Sequence, residues 1–344
     1  MYFEIEPKSR REDFFGYGYE YNRLKDALTR REKIIAVVGV RRVGKTSLLN
    51  VMYNEIACPK LWLDGRIVTD PKKEIFAAIC EAAKSGKPKI FGKVDSLNLS
   101  AYGIGLGVKI GPESRAAIEK TIRDRGQICV FIDEAQRMGA KGLADVLSYF
   151  YDRFPKVSFV LSGSEVGLVE DILGEADSEH PLYGRDINKI TINRLGKNEA
   201  ADYLKKGFAQ QKTAITDGEV RQAVDELDGL IGWLTLYGYE RGVKKSKDAL
   251  NRTVQIAAMI AASELVHFLK KTKNRKLYVC ILRNVDASAW EELRAQAGKD
   301  YGKKLNPNLF AFALDRLEAH SFIEKKDGKY SLSDPLMSKA AFLV

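Results

Sequence analysis

The eight residues Gly39-Val40-Arg41-Arg42-Val43-Gly44-Lys45-Thr46 fit the spacing G-x-x-x-x-G-K-[ST]. The chemistry such a run serves is the grip of a nucleotide's phosphates. Glycines let the backbone curl around the anion, so that successive N–H groups and the N-terminus of a following helix point at it. Lys45 then faces the β- and γ-phosphates as a point charge, and the Thr46 hydroxyl ligates Mg²⁺. A loop of this kind needs a second carboxylate at the carboxyl end of a neighbouring parallel strand, and Gln127–Glu134 (QICVFIDE) supplies it. Asp133 is placed to hold Mg²⁺ through water, and Glu134 to orient and deprotonate the attacking water.

Two further positions have two readings each. The apolar run Val157–Leu161 ends in Ser162-Gly163-Ser164-Glu165, where Ser164 would sit between two strand ends and touch the γ-phosphate or the water; the same four residues are also an ordinary helix-capping turn. Arg185 closes the loop Pro181-Leu182-Tyr183-Gly184-Arg185. It would neutralise transition-state charge as an arginine finger or sensor, or simply be exposed.

These side chains need strands that end together and helices that start behind them. Lys33–Val38 is a continuous apolar run of the kind that forms a buried parallel strand, and helical and strand-like segments alternate after it. Lys45–Ile56, Pro71–Lys84, Ser114–Arg125 and Gly142–Phe154 read as helices; Lys60–Leu63, Gln127–Ile132 and Val157–Leu161 read as strands. The alternation predicts an α/β fold, a parallel sheet with helices on both faces. Ser96–Ile110 breaks the rhythm with a period-two pattern and is expected to be an inserted hairpin or bulged strand. Its glycines do not make a dinucleotide fingerprint, because the spacing is wrong and no strand-to-helix turn follows.

Beyond Arg194 the pattern is helical, with Lys197–Gln210, Asp217–Leu227, Gly232–Arg241 and Leu250–Lys270 as segments. Three more helices follow at Lys276–Arg283, Ala287–Gln296 and Asn306–His320, then two short strands, Phe322–Lys325 and Lys329–Leu332, joined through Asp327-Gly328. Three helices and a hairpin in this order are the winged-helix variant of helix-turn-helix. The expected division is a core over 1–194, an all-α lid over 195–269 and a winged helix over 270–344.

The chain has 344 residues, 45% of them hydrophobic and 30% charged, which excludes both a disordered protein and a single small module. Met1–Arg11 has no apolar core and is not a signal peptide, and no window is apolar enough to span a bilayer. The expectation is a cytoplasmic protein without a membrane partner. Cys58, Cys80, Cys129 and Cys280 are far apart with no CxxC pair, which argues against a disulfide framework or a zinc site. Cys129, inside an apolar run, reads as a small hydrophobe. The net charge is +10, and residues 266–344 carry 15 basic against 9 acidic residues. That excess suits either a solvated surface or a nucleic-acid patch.

The motifs together resemble the archaeal ATPase family in the STAND class of P-loop NTPases, relatives of AAA+ proteins. The resemblance rests on GVRRVGKTSLL (Gly39–Leu49), with the Walker A loop, and VFIDEAQ (Val130–Gln136), with the Walker B acids. LSGSEVGLVED (Leu161–Asp171), PLYGR (Pro181–Arg185), DGLIGWLTLYG (Asp228–Gly238) and KYSLSDPLM (Lys329–Met337) complete it. It implies a hydrolase that binds ATP and ADP with Mg²⁺, the phosphate-binding residues being Gly39 to Thr46 together with Ser47. It also implies adenine contacts near Phe15 and Gly16, where Tyr17 and Gly18 depart from the family's phenylalanine-glycine-arginine element. In the lid, Ile231 stands where the family's glycine-x-proline element has proline. The function implied is an ATPase switch that passes its nucleotide state to the winged helix. The alternative is a DNA-binding regulator in which nucleotide is mainly structural; a nucleotide kinase is disfavoured by the lid and winged helix. Duplex DNA or a protein would be the winged helix's partner.

Overall fold

The computed structural model describes residues 1–85, 89–91, 119–174 and 177–344. The stretch 96–110, expected as a hairpin, and the first part of the helix expected over 114–125 lie outside them. The chain forms two compact units. One is Lys8–Gly39 with Lys45–Ile192, and the other is Met1–Pro7, Val40–Gly44 and Asn193–Val344.

Among the described residues of the first unit, six strands form one sheet: β1 (Ile34–Val38), β2 (Lys60–Asp64), β3 (Lys89–Phe91), β4 (Ile128–Asp133), β5 (Val157–Gly163) and β6 (Asn188–Thr191), in the order β3-β2-β4-β5-β1-β6. Every pairing is parallel. Because β1, β4 and β5 are buried along their whole length, they must be covered on both faces, and their apolar, largely β-branched sequences suit that position. The helices are α1 (Gly18–Thr29), α2 (Lys45–Glu55), α3 (Pro71–Ser85), α4 (Ala140–Arg153) and α5 (Val166–Leu173), with a further helical stretch at 119–124. Ile75 and Ile79 of α3 and Leu143, Leu147 and Phe150 of α4 close one core against Ile34, Ala36, Leu61, Val130 and Phe159 of the strands. β6 was not expected. It is an edge strand in which Ile190 alone is buried, so its sequence (NKIT) lacks the apolar run that marks the central strands.

The second unit begins with the helices α6 (Lys197–Gln210), α7 (Asp217–Leu227), α8 (Ile231–Gly238) and α9 (Ala249–Lys270), with a π-helical turn at Tyr239–Val243 between the last two. Thr216 and Glu219 make a reciprocal capping box at the start of α7. Phe3, 1% exposed, packs edge-on against Tyr203 and Phe208, which ties the N-terminal segment to these helices.

Next come α10 (Arg275–Asn284), β7 (Ser288–Ala289), α11 (Trp290–Tyr301), α12 (Pro307–Ala319), β8 (Ile323–Lys326), β9 (Lys329–Leu332) and α13 (Leu336–Leu343). The Asn306 side chain caps α12 and Pro307 occupies its first turn, which fixes where the helix starts. β8 and β9 are joined by Asp327 at φ 51° and Gly328 at φ 77°, the left-handed pair that a tight hairpin turn demands. The helix expected from Ala287 starts only at Trp290, because Ser288 and Ala289 pair with Tyr330 and Lys329 and extend the hairpin to three strands. Phe310, Leu314 and Leu317 of α12 are core, while Phe312 is 56% exposed.

Candidate functional site

β1 delivers the chain into the loop Gly39–Gly44, and α2 begins at Lys45. Gly44 adopts φ 98°, which a side chain would resist. Arg42, although not glycine, is also left-handed, at φ 68°. The Lys45 ammonium, 6% exposed, donates to the Gly39 carbonyl at 2.8 Å and so lies across the loop it follows. Ser47, one turn into α2, accepts from the Lys8 amide at 3.0 Å. The first N–H groups of α2 have no partners within the helix, and its dipole favours an anion there.

β4 ends at Asp133, and the register that sets Ile132 opposite Leu161 on β5 puts Ser162 beside it. Thr46 donates its hydroxyl to Asp133 at 3.1 Å, and Ser162 donates to the same carboxylate. Asp133 is 4% exposed, and burial pushes its carboxyl above the usual range, against the pull of the Ser162 and Thr46 hydroxyls. Two hard oxygen donors, a hydroxyl and a buried carboxylate that a cation would neutralise, fit Mg²⁺.

Glu134 sits just past the strand at φ 52°, which turns it away from the sheet. Its carboxylate accepts from Gln136 Nε2 at 2.6 Å and from Ser164 Oγ at 3.0 Å. Ser164 therefore meets Glu134 rather than serving as a side-chain helix cap, since α5 has none. Ser162 and Gln136 were not singled out from sequence. The signal for Ser162 was the pairing of two parallel strands that end together.

The expected site residues thus divide. Gly39, Gly44, Lys45, Thr46 and Ser47 lie at the carboxyl end of β1, while at the ends of β4 and β5 Asp133 is bonded to Thr46 and Ser162, and Glu134 to Ser164. Arg185 lies elsewhere. Its guanidinium pairs with Asp152 at 2.8 Å, donates to the Pro181 carbonyl and rests over Tyr151. Asp152 ends the helix that leads back to the start of β5, and Arg185 shortly precedes β6, so the pair marks the amino ends of the strands. Of the two readings of Arg185, a finger or sensor and a loop arginine without such a role, this position favours the second. Arg185→Ala is expected to leave ATP turnover within about twofold and to lower the melting temperature slightly, since such exposed pairs contribute about 0.2–1 kcal/mol. A large fall in turnover at unchanged melting temperature would contradict this.

Phe15 is half-buried and Gly16 is left-handed at φ 68°, followed by Tyr17 at φ 52°, so the two Gly-Tyr residues make the turn into α1. In the second unit, Ile231 is half-buried at the start of α8, and the next amide, Gly232, donates to the Arg42 carbonyl at 2.9 Å. A Cβ on Gly232 would meet Arg42 Cβ at 2.9 Å, so this close approach requires glycine. Further bonds of the Val40–Gly44 part of the loop lie within the same unit. Arg42 reaches Glu264 at 2.6 Å and Asp334 at 3.4 Å, and its guanidinium lies 4.0 Å from the centre of the Trp233 ring. Trp233 Nε1 donates to Asp334 at 2.9 Å. Arg41 donates to the His320 carbonyl at 3.0 Å and lies 3.5 Å from Glu264. Burial raises the Asp334 carboxyl, against the attraction of Arg42. Val40 and Val43 line the loop without side-chain polar chemistry.

A loop with the phosphate-binding spacing at the end of β1, with the buried carboxylate Asp133 and the acid Glu134 together at the end of β4, defines a P-loop ATPase. The family model of an ATPase domain predominantly from Archaea matches residues 18–235, and the chain belongs to that family. A Walker-type ATPase of Pyrococcus abyssi is 27% identical, with a TM-score of 0.79 over 99% of this chain and 100% of that one. The RuvB Holliday junction branch migration motor of Thermotoga maritima is 13% identical, with a TM-score of 0.47 over 96% of each chain. No curated protein matches. Among the described residues, no helix is long and apolar enough to cross a membrane.

Proposed function

We propose that the protein is a Mg²⁺-dependent ATP-hydrolysing switch of the STAND type, in which the state of the phosphate loop is passed to a winged helix over 270–344 through the lid over 195–269. The observation that carries this reading is the hold on Arg42. A residue in the middle of the loop is kept in a left-handed conformation while Glu264 of α9, Trp233 of α8 and Asp334 before α13 surround its guanidinium. Strained backbone of this sort persists where its surroundings over-determine it. Thr46 and Asp133 would hold Mg²⁺, which when bound neutralises charge between the β- and γ-phosphates. Lys45 would turn from the Gly39 carbonyl to the phosphates, and Glu134, held by Ser164 and Gln136, would take the proton of the attacking water. Phe15, Gly16 and Ile231 remain the proposed adenine contacts.

Linkage makes the test. If nucleotide shapes the loop and the loop's Arg42 engages Asp334, then releasing Arg42 must alter nucleotide affinity, and nucleotide must alter the region of Asp334. Asp334→Asn keeps one acceptor oxygen, enough for either Trp233 or the Leu336 amide but not for both, and removes the charge facing Arg42. Burial already disfavours that charge, so the fold should tolerate the amide. The expected result is a roughly tenfold weaker ATP affinity, about 1.4 kcal/mol. Amide-exchange protection of 323–337 should change between ADP and a non-hydrolysable ATP analogue in the wild type, but not in the variant. Equal protection in all four samples would remove the switch.

The basic, exposed Lys325, Lys326 and Lys329 on the hairpin favour a second reading, duplex DNA as the partner of the winged helix. Binding that weakens steeply with salt would support it, and no binding at low salt would leave that face to a protein.

A further inference from the structure

Far apart in sequence, two of the four cysteines meet in the first unit. Cys58 lies between α2 and β2, and Cys129 is the second residue of β4. These strands are parallel neighbours, with Lys60 opposite Cys129 and the Cys129 amide bonded to the Pro59 carbonyl at 2.9 Å. The pairing brings the two sulfurs to 3.2 Å, within hydrogen-bond distance for thiols. A covalent S–S bond of about 2.05 Å lies only roughly 1 Å of sulfur movement away. Cys58 is half-buried and Cys129 fully buried, so a small oxidant meets one sulfur and the other waits behind it.

We infer that Cys58 and Cys129 form a modification site, a dithiol that hydroperoxides convert to an intramolecular disulfide. The surroundings suit an attacking and a resolving thiol. Cys58 is held below the usual thiol range by the hydrogen bond from Cys129, with a smaller contribution from the Lys60 ammonium, while Cys129 is pushed well above it. The Cys58 thiolate attacks a peroxide oxygen: an S–O bond forms, the O–O bond breaks, and the hydroxide released takes a proton to become water. Cys129 sulfur then attacks the sulfenic sulfur of Cys58. An S–S bond forms, the S–O bond breaks, and the departing hydroxide takes the Cys129 proton. Two thiols lose two electrons in all, and one hydrogen peroxide becomes two waters. Both sulfurs lie toward the amino ends of β2 and β4, at the opposite end of the strands from Asp133, so the reading is independent of the proposed switch.

The test is stoichiometric hydrogen peroxide on the reduced full chain, followed by thiol titration of the denatured protein and non-reducing peptide mapping. Thiols are expected to fall from four to two, with a Cys58–Cys129 linked peptide that dithiothreitol separates. In Cys58→Ser, a change at a half-buried position, no linked peptide should form, and buried Cys129 should stay reduced. A Cys58 that proceeds to sulfinic acid without linking, a link between other cysteines or between chains, or a count that stays at four would each overturn the inference.

Discussion

Replacing Lys45 with alanine is expected to weaken ATP binding roughly 10- to 160-fold, the equivalent of the ~1.5–3 kcal/mol that a hydrogen bond to a charged group contributes. The side chain is buried against its own loop, with its ammonium on the Gly39 carbonyl. It need only swing from that carbonyl to the phosphates to serve as their counter-charge. Alanine removes the cation while leaving α2 anchored through Leu48, Leu49, Val51 and Met52, all fully buried. The loss should therefore fall on binding and not on the fold. Titration of a fluorescent ATP analogue, beside a thermal melt of the same preparation, separates the two. Wild-type affinity in a folded variant would remove the loop from the phosphate site.

The phosphate loop and the acids of β4 were legible because their chemistry is local: a short run of residues carries its own spacing, and an apolar strand announces where it ends. The strands β1, β4 and β5 were legible for the same reason, being buried on both faces. β6 was not, since an edge strand needs only one buried residue and Asn188–Thr191 offers just Ile190. Ser162 reads as part of a turn, yet its bond to Asp133 depends on the register of two strands that are distant in sequence. Arg42 is a plainer case. Within the motif it fills a position open to any residue, and its partners Trp233, Glu264 and Asp334 come from segments whose meeting no periodicity records. Arg185 keeps two readings in the sequence, because a loop arginine near a nucleotide motif says nothing about which end of the sheet it occupies. The cysteines teach the same lesson, as their separation along the chain concealed adjacent strands.

Glu134→Gln is expected to leave ATP binding nearly unchanged and to lower turnover about 10²- to 10⁴-fold, the range that a positioned general base contributes. The position supports such a clean separation. Glu134 is half-buried, at the end of β4 but outside the Thr46–Asp133 pair, so the proposed Mg²⁺ ligands and the lysine are untouched. Its carboxylate accepts from Ser164 and from Gln136, and the amide oxygen of glutamine accepts equally well, so the side chain keeps its place and loses only its basicity. Asp133→Asn should behave differently, because the carboxylate bonded to Thr46 and Ser162 would lose the charge that faces the proposed Mg²⁺, weakening Mg²⁺-dependent binding as well as hydrolysis. Single-turnover hydrolysis, with ATP affinity measured independently on both variants, distinguishes the roles. If Glu134→Gln hydrolysed ATP at the wild-type rate while Asp133→Asn lost hydrolysis but kept its affinity, the base would be Asp133. The hydrogen-bonded group of Glu134, Ser164 and Gln136 would then only position the strand end.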